Sequence, residues 1–390
     1  MNPSSQSPNN PIFPAFSFST AQTILFGPGR RAELPALAAS LGSRLLLVTG
    51  KSGRGAEGLH PALHLHIEGE PTFALIRTHS AAARTARCDV VVAIGGGSVL
   101  DAGKALAMLL TNPGDPLDYA EVIGPNHPIA QSSAPLIAVP TTAGTGSEVT
   151  RNAVLGSPEH GAKVSLRSPL LLPRVALVDP ELARGLSPAL TAATGMDALA
   201  QLIEPLVSCR ANPLVDALCR DGIPRVARAL PRAFAHGDDL NARRDLALGA
   251  LYSGMALANA GLGAVHGFAA AIGGAFPAPH GAICAALLPG VFRANFQHLE
   301  IAAPAISNAC KNFFAAAQLV TGNPQATPED GFRWLASLGE QLRIPRLGCY
   351  GIRSEHIPGL VDKAQKASSM KANPVVLPAE VLHDLLQSAL

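Results

Sequence analysis

Aromatic residues make up only 4% of this chain, with one Trp and three Tyr, and charged residues only 15%. With so few rings, the cores have to be closed mainly by Ala, Leu, Val and Ile. The hydrophobic share of 48% over 390 residues shows that enough of them is present, as in Gly-rich α/β enzymes. Neither sign of charge dominates, with 30 basic against 28 acidic residues, and this excludes nucleic acid or a membrane surface as the expected partner. The six cysteines, Cys88, Cys209, Cys219, Cys284, Cys310 and Cys349, include no C-x-x-C pair. They read as small buried apolar residues in a reducing compartment, not as a disulfide framework or a thiolate zinc site. Residues 1–14 are rich in Pro, Ser and Asn and lack a basic region followed by an apolar one. The expectation is a disordered leader over residues 1–15 and a cytoplasmic protein.

Charge is absent altogether from residues 246–292, where the only ionisable side chains besides Tyr252 and Cys284 are His266 and His280. A membrane span is excluded by Asn259, Gly261, Gly263, Gly267, Gly273, Gly274, Pro277 and Pro279, which break the run before about twenty apolar residues accumulate. The stretch reads instead as buried helix: a long helix carrying His266, a turn at Phe276-Pro277-Ala278-Pro279, and a second helix from His280. Each histidine taken alone fits a hydrogen-bonded core residue. The two together, bracketing one turn, also fit a metal site.

A chain of this length is expected to form two domains. Apolar runs at residues 45–48, 90–94, 136–139 and 175–178 alternate with helical pattern and end in small residues, which predicts an open parallel α/β sheet of the Rossmann-like kind. From Pro188 onward the pattern is Ala/Leu-rich and helical. The division expected is 16–187 for an α/β dinucleotide-binding domain and 188–390 for an all-α metal-binding domain. Residues 53–69 show too weak a pattern to assign.

Three features carry chemistry. Gly95-Gly96-Gly97-Ser98 lies between a strand and a helix beginning Val99-Leu100-Asp101. There, main-chain N–H groups and the helix dipole suit a pyrophosphate, although the spacing is not G-x-G-x-x-G and a plain tight turn remains the alternative. A second loop, Pro140-Thr141-Thr142-Ala143-Gly144-Thr145-Gly146-Ser147, adds hydroxyls and glycines at the next strand end. The third is Asp197, four residues before Gln201 on an apolar helical segment, where a carboxylate must cap, pair or bind a cation. An N-cap is the competing explanation, since Thr194 and Gly195 precede it.

With these motifs in view, the chain resembles the iron-containing (group III) alcohol dehydrogenases, in the superfamily that also holds glycerol dehydrogenase and dehydroquinate synthase. The resemblance runs from Ile24-Leu25-Phe26-Gly27-Pro28-Gly29 through Gly95 to Lys104, Pro140 to Thr150, Asp179-Pro180-Glu181-Leu182, Gly195 to Ala198 and His266 to Pro289, and reaches Ala372-Asn373-Pro374. It implies a dinucleotide, NADP or NAD, held by Gly95, Gly96, Gly97 and Ser98 with Asp101 and Ser147 beside them. Thr141, Thr142, Thr145, Asn152 and Lys163 would line the rest of that cleft. It also implies a divalent metal, Fe2+ or Zn2+, on Asp197, His266 and His280, and hydride transfer between a small alcohol and its aldehyde or ketone.

Two positions depart from the pattern. Gln201 stands where the resemblance leads one to expect a ligating His, which weakens a fourth bond and the preference for iron. Ala270 stands where a further His often lies near the nicotinamide, so a proton relay there is missing. Gly50, followed by Lys51 and Ser52 with Arg54 near, replaces the acidic residue that favours NAD, and predicts NADP or dual use. Two other activities remain as alternatives: a maleylacetate-reductase-like or hydroxyacid oxidoreductase with Arg151 or Lys163 as anchor, and a degraded dinucleotide-binding sensor. A homodimer is the expectation for an enzyme of this size.

Overall fold

A computed structural model describes residues 15–302 and 308–390. Apart from Ala15, the expected leader lies outside the described residues. The first half contains β1 (Thr23–Phe26), α1 (Leu34–Leu41), β2 (Leu45–Thr49), β3 (Leu63–His66), α2 (Phe73–Thr85), β4 (Val90–Gly95), α3 (Gly97–Thr111) and β5 (Leu136–Pro140). It continues with β6 (Asn152–Ser157), β7 (Ala162–Arg167) and β8 (Val175–Val178). Six of these strands form one sheet in the order β1-β8-β5-β4-β2-β3, and every pairing in it is parallel. The remaining two, β6 and β7, form an antiparallel hairpin.

The four apolar runs read from the sequence are β2, β4, β5 and β8, and all their residues are buried. Both faces of the sheet are covered, which is why these strands read as continuous apolar runs and not as alternations. Leu46, Val48, Val91, Ala93 and Ala138 pack under α2 and α3, while Leu45, Leu47, Val90, Val92 and Val139 pack against α1. Within the unassigned residues 53–69 the chain forms β3, an edge strand reading Leu-His-Leu-His whose exposed alternate side chains gave only a short, weak signal.

From Pro188 onward the described chain is helical: α4 (Pro188–Val207), α5 (Pro213–Ala235), α6 (Leu240–Ala260), α7 (Ala264–Ala275) and α8 (His280–Ala302) come first. They are followed by α9 (Asn308–Thr321), α10 (Pro328–Gln341), α11 (Ile357–Lys366) and α12 (Ala379–Ala389). Side chains cap several of these starts: Ser187 accepts from Leu190 N, Asn212 from Val215 N, and Thr327 forms a capping box with Asp330. Asp197 therefore lies well inside α4, and the N-cap explanation for it is excluded.

The long helix expected to carry His266 is two helices. Between α6 and α7 the chain bends by 97°. Gly261 ends α6 with φ +74°, a conformation that favours glycine. At Gly263, an added Cβ would lie 2.6 Å from Asn373 Oδ1 and 2.9 Å from Glu204 Oε1, so two polar side chains occupy the space at the start of α7. Among the described residues no single helix is long and apolar enough to cross a membrane, although the bent pair α6 and α7 together meet the length and composition.

Backbone contacts that only glycine permits bring these elements together, one between the halves and one within the helical half. Gly146, at φ +60°, lies against Gly254 of α6, and a Cβ on Gly254 would stand 2.3 Å from Gly146 O. At the start of α8, a Cβ on Gly281 would stand 2.2 Å from Ala193 O of α4. These approaches set the loop after β5, the Asp197 turn of α4 and the His280 end of α8 around one place.

Candidate active site

The sheet order reverses between β2 and β4, since β3 lies beyond β2 on one side and β5 beyond β4 on the other. In parallel sheets, ligands bind beyond the carboxyl ends of the strands at such a switch. Gly50 follows β2 there, 3.8 Å by an added Cβ from Val99 at the head of α3. Unlike α4, α5 and α10, α3 has no side chain capping its N-terminus; Gly96 occupies the cap position. Its first-turn N–H groups are thus left to an anionic ligand. The second loop closes over them: Thr141 N donates to Gly95 O at 2.9 Å. Thr142 lies 3.6 Å from the Cβ position of Gly96, and Thr145 lies 3.0 Å from that of Gly97.

Asp101 and Ser147 are engaged with the protein itself. Ser147 Oγ donates to Asp101 Oδ1 at 2.5 Å and Val154 N donates to Oδ2 at 3.0 Å, so Asp101 ties the second loop and the hairpin to α3. The fully buried Lys104 completes this support, with Nζ 3.0 Å from Asp101 Oδ1 and 2.9 Å from Thr150 Oγ1. Asn152 opens β6, paired in register with Arg167. Lys163 on β7 forms an ion pair with Glu70 at 3.2 Å and lies 3.8 Å from the Cβ position of Gly273 on α7. Lys51 is exposed beside Gly50, whereas Arg54 turns away, its Nη1 donating to Arg184 O at 2.6 Å.

Glu148, in the same loop, is buried, and burial pushes its carboxyl up to about 7, partly opposed by its own backbone N–H and by Lys104. Between about pH 4.5 and 7 the folded chain holds a proton that the unfolded chain has released. The resulting loss of stability therefore develops as pH rises through that window and is complete above it. Glu148→Gln is expected to become more stable relative to wild type by up to about 3 kcal/mol between pH 4.5 and 8. Urea unfolding of both proteins at several pH values checks this; a difference that stays flat with pH contradicts it.

The second cluster is built from α4, α7 and α8. His266 Nε2 lies 3.3 Å from Asp197 Oδ1, and His280 Nε2 lies 3.6 Å from the same oxygen. Asp197 and His266 are almost fully buried, while the side chain of His280 is 41% exposed and marks the open side. Burial disfavours charge on Asp197, but His280 and His266, with a hydrogen bond from Cys284, outweigh it and hold the carboxyl below its ordinary value. Burial likewise opposes the imidazolium forms, and the surrounding acidic groups overcome it. Cys284, Glu204 and Asp197 hold His266 well above the usual range, and Cys284 and Asp197 raise His280 to about 9. The site thus gathers carboxylates, imidazoles and a thiol in one pocket, and its imidazole protons must leave before a metal enters.

Glu204, Asn373 and Cys284 escaped the sequence reading as site residues. Glu204 Oε1 accepts from Val265 N at 2.8 Å, capping α7, and Oε2 lies 2.6 Å from His266 Nδ1. A proton on Nδ1 donated to that carboxylate leaves the Nε2 lone pair facing Asp197, as metal-binding imidazoles require. Asn373 Oδ1 accepts from Ala264 N at 3.0 Å and helps fix the same helix start. The spacing of Asp197, Gln201 and Glu204, one helical face, was the available signal for Glu204.

Cys284 is the other omission. It sits one turn after His280, and its Sγ joins Asp197, His266 and His280 in a group whose ligand atoms all lie within 4.8 Å of one another. The expectation that all six cysteines are small buried residues is corrected at Cys209 and Cys349, which are exposed, whereas Cys284 is buried as expected. Gln201 is buried, with Oε1 3.2 Å from Ser253 Oγ.

A parallel sheet with an uncapped helix start at its switch point, together with a buried carboxylate and imidazole cluster, fits a dinucleotide- and metal-dependent oxidoreductase. The donor set suits a divalent cation, and the glycine loop suits a pyrophosphate. Residues 21–180 match the model of the iron-containing alcohol dehydrogenases and residues 191–390 that of the C-terminal part of the Fe-containing alcohol dehydrogenase family, so the chain belongs to this family. Alcohol dehydrogenase 4 of Saccharomyces cerevisiae (strain YJM789) is 35% identical over 333 residues, covering 85% of this chain and 84% of the yeast protein. The 1,3-propanediol dehydrogenase of Klebsiella pneumoniae is 34% identical over 385 residues, covering 92% and 95%. A crystal structure of 1,3-propanediol oxidoreductase superposes with a TM-score of 0.86 at 32% identity, covering 97% of this chain and 100% of that one. The protein is an NAD(P)-dependent alcohol dehydrogenase that works with a divalent metal.

Proposed function

We propose that Asp197, His266 and His280 hold the metal, that Gly95 to Ser98 with Thr142 and Thr145 hold the pyrophosphate, and that the substrate is a small uncharged alcohol or aldehyde, with NADP as the preferred cofactor. The observation that carries this reading is the convergence of both imidazole Nε2 atoms on Asp197 Oδ1, at 3.3 and 3.6 Å. A divalent cation held there would supply Lewis-acid polarisation of the substrate oxygen, and a nicotinamide held by the glycine loop would supply the hydride chemistry. The chain supplies the alignment. Glu204 keeps the His266 proton on Nδ1, Asp101 and Lys104 hold the loop after β5 on α3, and the exposed face of His280 leaves room for substrate. Ala270, exposed on α7, offers no proton acceptor, so the alcohol proton would pass to water or a cofactor hydroxyl.

The ion pair of Lys163 with Glu70 at 3.2 Å offsets the cation that a carboxylate substrate would need, which favours the uncharged substrate over an oxoacid. The absence of a carboxylate at Gly50 and the exposed Lys51 beside it favour a 2′-phosphate. We also propose a division into domains at 16–187 and 188–390, a homodimer and a cytoplasmic location, on the grounds of pattern, size and cysteine usage.

The test is consumption of NADPH and NADH by protein stripped of metal and reloaded with Fe(II), Zn(II) or Mn(II), against aldehydes and their ω-carboxylate analogues. Metal-dependent turnover of the simple aldehydes, with kcat/KM at least about tenfold higher for NADPH and reversed toward NADH in Gly50→Asp, is expected. A preference for the carboxylate analogues would replace the substrate assignment, and NADH-only activity would overturn the cofactor assignment.

A further inference from the structure

We infer that Cys284 is the fourth protein ligand of this metal site, so that the chain holds its cation with a carboxylate, two imidazoles and a thiolate, a donor set that suits zinc. This rests on the ligand assignment proposed above and goes beyond it in donor set and metal. The Sγ of Cys284 lies 3.7 Å from His266 Nε2 and 3.7 Å from His280 Nε2. Ligand bonds of about 2.0–2.3 Å meeting at tetrahedral angles separate oxygen, nitrogen and sulfur donors by about 3.3–3.6 Å. Four of the six separations among these donors, 3.3, 3.6, 3.7 and 3.7 Å, lie at or just above those edge lengths, the remaining two are within 4.8 Å, and the 41% exposed side of His280 leaves a further position for the substrate oxygen.

Helix geometry explains how the sulfur arrives there. Cys284 follows His280 by four residues on α8, so both side chains leave the same face. The close approach of Gly281 to Ala193 presses that face onto the turn of α4 bearing Asp197, and Cys284 is 0% exposed. The residue one turn after Asp197, Gln201, faces Ser253 instead, and a carboxamide is in any case the poorer donor toward a borderline cation. On binding metal, the Cys284 thiol releases its proton to solvent, and the resulting thiolate adds both charge and softness to the site. Soft sulfur favours zinc or cobalt over the harder-ligand metals such as manganese.

The experiment loads the full-length metal-free protein with Co(II), whose thiolate complexes absorb by sulfur-to-metal charge transfer in the near ultraviolet. Wild type is expected to bind one equivalent and show that band, Gln201→Ala to keep it, and Cys284→Ala and Cys284→Ser to lose it. Zn(II) affinity, read by chelator competition, is expected to fall at least tenfold in both Cys284 variants. One equivalent of Co(II) bound by wild type without the band overturns the thiolate ligand and leaves the three-ligand site standing. No stoichiometric binding overturns both. Circular dichroism of the metal-free variants separates loss of a ligand from loss of fold.

Discussion

Asp197→Ala is expected to lower kcat/KM by about 10³-fold or more, with little change in the affinity for the dinucleotide. Asp197 Oδ1 is the atom on which both imidazoles converge, so removing it strips the pocket of the oxygen donor and of the negative charge that draws a cation in. Lewis-acid activation of the substrate oxygen is worth several kcal/mol, and about 4 kcal/mol corresponds to that factor. Buried at 2% exposure, Asp197 is also a charge that, among the described residues, pairs with His266 and His280. Its removal leaves two raised-pKa imidazoles without that partner, and a change in the melting temperature of the metal-free protein accompanies the loss. Kinetics with metal content measured on the same samples provides the check. A variant that keeps both its metal and a kcat/KM within tenfold of wild type would remove Asp197 from the site.

Gly254→Ala is expected to destabilise the chain by about 2–4 kcal/mol and to raise KM for the cofactor. The added methyl would stand 2.3 Å from Gly146 O and 2.7 Å from Gly146 Cα. Both are backbone atoms of the loop that closes over α3, so no side chain can turn aside to make room. Relief has to come from shifting α6 or residues 144–147, the latter carrying Thr145 above Gly97 and Ser147 on Asp101. Denaturant unfolding and cofactor titration of the variant measure the two effects. Stability loss with unchanged cofactor affinity would mean that α6 yields and the loop does not. The contrast with Gly339 is useful, since an added Cβ there meets nothing within 4 Å and Gly339→Ala is the matched control.

Much of this protein is determined by the sequence itself. The runs that became β2, β4, β5 and β8 are legible because a strand covered on both faces must be apolar at every position, whatever surrounds it. The glycine loop before α3 and the helices from Pro188 are legible for similar local reasons: small residues at a strand end, and caps such as Ser187 and Asn212 at helix starts. Asp197, His266 and His280 could be picked out because charge and imidazole are costly in apolar helix unless something compensates them.

What tertiary structure decided is whatever depends on elements distant in the chain coming together. The edge strand β3 exists because β2 offers it a partner, not because Leu-His-Leu-His demands a strand. The break between α6 and α7 is set by Glu204 and Asn373 arriving from 61 and 109 residues away along the chain to take over the start of α7. Asp101 and Ser147, chosen as cofactor residues, turn to each other because α3 and the second loop pack together. Cys284 looked like any small buried residue among six. Its nearness to Asp197 is created by Gly281 closing on Ala193, a contact between two helices that no local pattern encodes.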